Sequence, residues 1–219
     1  MFRDRLINRV VMLGFMLICS GNSFADGTDV DQPAPPITAA WHLQQIEFNF
    51  RSTNIYYSCE GFRQKVVMIM KAIGARDDVT LDLRCRGGTL INNAATIITV
   101  ATPVEATPEN VAALTTYSTE AQLAARLNKV QLPTANDIER FSAEWRKVDF
   151  NRTRRTKLDA GDCDLVDGLI EQVFPRLPVQ VLKRRLSCSH GSANRMSLPL
   201  HVAALMAAPV IPMAYAPTK

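Results

Sequence analysis

The residues of this chain best suited to chemistry are three histidines, two aspartates around a cysteine, and a dense set of cations. His42, His190 and His201 could serve as general acids or bases near neutral pH. They are scattered, and none stands in a recognisable pattern with a nucleophile. Cys188-Ser189-His190 brings two metal-ligand types together. A structural zinc site needs about four such ligands in clustered spacing, and no such cluster is present. Asp162 and Asp164 flank Cys163 at an expected helix start. Paired carboxylates can run acid–base chemistry, but at a helix N-terminus the dipole favours them as caps, and that reading is preferred. Arg86-Gly87-Gly88 lacks the spacing of a phosphate-binding loop, and there is no G-x-S-x-G elbow. The sequence therefore predicts no catalytic residue, no cofactor and no metal.

The densest cations are Arg152, Arg154, Arg155, Lys157, Lys183, Arg184 and Arg185. If the strands that carry them are neighbours, they form a candidate patch for an anionic partner. Aromatic residues are sparse there, which argues against stacking on nucleic acid. An envelope protein or an anionic envelope component fits better. A solvated strand face is the competing reading, and the preferred one.

Cysteines and tryptophans set the framework that would position these groups. Trp41 precedes Cys59 by eighteen residues, and Trp145 precedes Cys163 by eighteen. Cys85 follows Cys59 after twenty-six residues, and Cys188 follows Cys163 after twenty-five. This register predicts two related units, stapled by Cys59–Cys85 and Cys163–Cys188. Cys59 and Cys163 at helix starts would have stabilised thiolates, but no C-x-x-C accompanies them, so a redox role is disfavoured.

Each unit reads as β-α-β-β. In the first, Ile46, Phe48 and Phe50 alternate with polar residues, as in a half-buried strand. Ser58 is the expected N-cap of a helix whose stripe is Phe62, Val66, Ile69, Met70 and Ile73, with Gly74 at its end. Val79, Leu81, Leu83 and Cys85 alternate again, and Ala95 to Val104 reads as a third strand. In the second, Trp145 to Phe150 is the strand, Asp162 the cap, and Leu165, Leu169, Ile170 and Val173 the stripe that Pro175 stops. Val179 to Cys188 and a strand from Leu198 complete it. The fold class predicted is α+β: antiparallel sheet, helices packed on one side, one disulfide per unit. The boundaries are 39–107 for the first unit, 108–140 for a helical connector packing on the sheet, 141–206 for the second unit, and 207–219 for a tail.

Residues 1–25 carry the three parts of a secretory signal. Arg3, Arg5 and Arg9 precede the apolar run Val10 to Cys19, and Ser23-Phe24-Ala25 places small residues for cleavage before Asp26. Ile18 before Cys19 disfavours lipidation. Residues 26–38 form a Pro/Asp-rich leader with few large apolar residues. Without residues 1–25, Lys+Arg falls from 25 to 22 and Asp+Glu from 21 to 20, a net charge of +2. So small a charge does not point to nucleic acid. No transmembrane helix is expected in the mature chain. The predicted protein is a periplasmic or secreted non-enzymatic binding or accessory module. The alternatives are an exported enzyme, such as a hydrolase, whose site assembles only in three dimensions, and a subunit of a cell-envelope assembly.

Overall fold

Pro35 and Pro36 have no backbone N–H to give to a ladder, and the first strand, β1 (Ile37–Arg51), opens directly after them. The computed structural model describes residues 35–53, 55–84, 90–150, 158, 160–184, 188 and 200–209. Along β1 the side chains of Ile46, Phe48 and Phe50 turn inward and are buried. A short strand, β2 (Tyr57–Ser58), leads into α1 (Cys59–Ala72). Ser58 caps α1, its Oγ accepting from Gly61 N at 3.1 Å. The helix buries Phe62, Val66, Ile69 and Met70. Past its end Gly74 adopts φ +91°, and a Cβ there would meet Leu205 O at 2.9 Å, so this position requires glycine.

Then follow β3 (Thr80–Asp82), β4 (Leu90–Ile91) and β5 (Asn93–Glu105). The connecting helices are α2 (Pro108–Leu114) and α3 (Thr119–Leu127). The second half holds β6 (Arg140–Asp149), α4 (Cys163–Gln172), β7 (Val179–Arg184) and β8 (Leu200–Ala207). A six-stranded sheet runs in the order β3-β5-β1-β6-β8-β7, and β2 pairs with β4 separately. Every pairing is antiparallel.

The two halves meet where β1 and β6 pair over Ile37–Ala40 and Arg140–Ala143. Ala39, Ala40 and Ala143 are fully buried at this seam. Continued in register, Pro35 would face Trp145 and leave its side of the ladder without a donor. The pairing therefore ends at Ile37. The main core lies beneath α1 and α4, where Phe48 stacks on Phe62 at 6.3 Å between centroids and Phe50 tilts against Phe62 at 5.0 Å. Among the described residues no helix is long and apolar enough to cross a membrane.

Three expectations are corrected. The first is the architecture of two like β-α-β-β units, each with its own disulfide. The first half carries two additional strands, β2 and β4, and the described residues contain one disulfide, Cys163–Cys188, with Cα atoms 5.5 Å apart. Cys59 is not a free thiol, and Cys85 lies outside the described residues. The second is Asp162 as a helix cap. Its side chain makes no capping bond, because two donors from the first half occupy it. The third is the packed connector. α3 buries no residue, and Leu123 and Leu127 are exposed.

Candidate functional site

Two places bring polar and apolar groups from both halves together. One is closed, the other open.

The closed one surrounds the start of α4. Tyr57 OH donates to Asp162 Oδ1 at 2.9 Å, and Lys65 Nζ pairs with Asp162 Oδ2. Ser52 Oγ donates to Asp164 Oδ2 at 2.6 Å and accepts from Ile55 N at 3.0 Å. Asp162 is 1 % exposed. A buried carboxylate held by a cation and a phenol is a satisfied network, and the Ser52 hydroxyl donates to the Asp164 carboxylate. These bonds span about a hundred residues of sequence and tie the halves together.

The open one is a groove of about 630 Å³ between α1 and β6. The α1 wall is a second stripe at helical spacing, beside the buried one: Gln64, Val67, Met68 and Lys71, with Ala72. β6 contributes Arg146 to Asp149, and β8 adds Met206. The walls are apolar where Val67, Met68, Val148 and Met206 meet, and the rim is cationic. Lys71 pairs with the exposed Asp77 at 3.0 Å, and Arg146 pairs with Glu144. Lys147 has no ion-pair partner among the described residues.

The floor of the groove is a strand edge. Phe150 N donates to Leu200 O and Ala208 N to Ser142 O, which fixes the phase of the β6–β8 ladder. Even-numbered residues of β6 bond to β8, so the N–H and C=O groups of Trp145 and Lys147 point away from it. No strand among the described residues lies on that side beyond Ala143.

The predicted site residues are distributed as follows. Lys183 and Arg184 lie on β7, an exposed strand at one end of the sheet. Arg184 is held by Glu171 at 3.1 Å and Asp167 at 2.5 Å, and these bonds raise its pKa above the ordinary value. Arg152, Arg154, Arg155, Lys157 and Arg185 fall outside the described residues, as does His190. His42 lies on β1, where burial lowers its pKa. His201 Nδ1 stands 3.8 Å from Asp149 Oδ2, beyond hydrogen-bond reach. Among the described residues no group of three or more His, Cys, Asp or Glu side chains could hold a metal. Sequence reasoning missed the groove. The stripe Gln64-Val67-Met68-Lys71 was readable, but the absence of an element to cover it was not.

Compared with protein-family models, curated proteins and solved structures, the chain finds no match.

Proposed function

We propose that this chain is an exported, non-enzymatic binding module that engages an envelope component through the groove between α1 and β6. The observation that carries this reading is the groove itself. It combines apolar walls, a cationic rim and a strand edge, in a volume typical of a ligand site. Export rests on the basic and apolar pattern of residues 1–25 and the small residues before Asp26. The disulfide Cys163–Cys188 agrees with an oxidising compartment. The polar cluster around Asp162 supports a structural rather than a catalytic role, because protein donors occupy its carboxylates.

The test uses protein purified from its native compartment and an anionic apolar dye, 8-anilinonaphthalene-1-sulfonate. Intact mass should give a chain beginning at Asp26. The dye should bind saturably at one site, and Gln64→Trp, which fills the groove from an exposed position, should weaken it at least tenfold with unchanged stability. Dye binding that is absent, or indifferent to Gln64→Trp, would remove the groove as the site.

A further inference from the structure

We infer that the groove receives an extended, acidic peptide segment of a partner protein, added as a strand along β6. This rests on the binding reading above and names its ligand class.

Two strand edges at the seam are treated differently by the helices beside them. Beyond the seam, β1 also has an edge not paired with β6. There α4 closes it: Gln172 Oε1 accepts from Asn49 N at 2.9 Å, and Gln172 Nε2 donates to Asn49 O at 3.0 Å. The side-chain amide occupies both groups as a neighbouring strand would. Counting from Cys163 and Cys59, the first residues of the two helices, Gln172 on α4 corresponds to Met68 on α1. Methionine has no donor and only a weak acceptor. So α1 presents an apolar wall to the β6 edge, and among the described residues no strand pairs with the main-chain groups of Trp145 and Lys147.

If the β1 register continued before Ile37, Pro35 would oppose Trp145 and Pro33 would oppose Lys147. In that register the N–H of each odd-numbered residue would have to reach β6, and proline has none. The leader is therefore a poor complement to an edge that a partner's backbone can pair with, which is the geometry of strand addition.

Side-chain chemistry sets the sequence of the guest. Alternate residues of an added strand face one side. One set would lie on Val67, Met68 and Met206 and should be apolar. The set on the other face, near Lys147, should carry Asp or Glu, since Lys147 is a cation with no ion-pair partner among the described residues. The pairing stretch should lack proline.

The probe is the synthetic peptide acetyl-Glu-Val-Glu-Ile-Glu-Val-Glu-amide, labelled for fluorescence anisotropy, against the protein purified from its native compartment. Saturable binding is expected. Proline in place of the central isoleucine should weaken it at least tenfold, and so should Lys147→Glu, while the dye still binds. Amide exchange at Lys147 should slow at least tenfold in the complex. The amides of Arg146 and Val148, already bonded to β8, should not change. Proline tolerated, or Lys147 exchange unchanged, would overturn strand addition and leave the groove reading intact. Dye and peptide both failing to bind would instead remove the groove reading. Peptide binding that emerges only after deletion of residues 26–34 would make the leader the occupant and overturn the inference. So would slowing of the Lys147 amide with protein concentration alone, in favour of a second copy.

Discussion

The junction of α4 with β1 and the junction of α1 with β6 begin from the same ingredients: a helix opening on a cysteine, laid against a strand at the seam. They end differently because of two positions. Six residues into α4 stands Gly168, and a Cβ there would lie 3.3 Å from Phe48 Cε2. Without a side chain, the helix settles onto the ring, close enough for Gln172 to reach the backbone of Asn49. Six residues into α1 stands Gln64, whose side chain lines the groove. One junction is closed by hydrogen bonds, the other is open and partly apolar. At one junction a glycine lets the helix meet Phe48 closely and an amide seals the edge; at the other Gln64 and Met68 line a groove and the edge is offered.

The comparison breaks most severely at Phe48, which lies under Gly168 and stacks on Phe62 of α1. Phe48→Ala should destabilise by about 3–5 kcal/mol, the usual cost of deleting a buried phenylalanine. Urea denaturation measures it, and a loss below about 1 kcal/mol would mean that neither helix is seated on this ring. Next is Gly168→Gln, which gives α4 the residue α1 carries. Helix propensity favours the change by roughly 0.5–1 kcal/mol. Overpacking against a ring that cannot shift opposes it by about 1–3 kcal/mol. A net loss of about 1–2 kcal/mol is expected, and a gain in melting temperature would show that the close approach is not what glycine serves.

Gln172→Met sharpens the contrast rather than breaking it. It removes both bonds to Asn49, and since Asn49 is exposed, water can replace them. The expected cost is about 1 kcal/mol, with faster amide exchange at Asn49 as the specific signature. If Asn49 exchange stays slow, the amide is not its cap. The smallest effect is pH-dependent. Burial lowers the pKa of His42 in the folded chain, so the unfolded chain binds its proton more readily. Stability is then unaffected above the unfolded value near 6.5. It declines as pH falls below that value, and the loss is complete once pH passes the lowered folded value. His42→Gln should flatten that part of the profile in denaturation measured from pH 7.5 to 5, and an unaltered slope would place the responsible group elsewhere.

Much of this frame could be read in advance. The alternation of Ile46, Phe48 and Phe50, the Ser58 cap and the Gly74 stop depend on local rules, and all three hold. Asp162 misled because its neighbours in space are not its neighbours in sequence: Tyr57 and Lys65 claim the carboxylate that a helix start would otherwise use. α3 misled because an amphipathic stripe states only that a helix has an apolar side, not that something covers it. The site was the least legible part. Gly168 and Gln172 look like an ordinary weak position and an ordinary polar one until the ring of Phe48 and the backbone of Asn49 are placed beside them.

The bonds between Gln172 and Asn49 also order events in time. They join groups 123 residues apart, and synthesis proceeds from the N-terminus at roughly 5–20 residues per second. The first half can assemble β1 against β5 while α4 does not yet exist. For roughly 6–25 seconds a nascent chain made at that pace would carry the β1 edge bare, beside a hydrophobic ring awaiting its helix. A chaperone acting on this protein would have most to protect in that interval, and the vulnerable surface would be β1, the edge that the finished molecule hides.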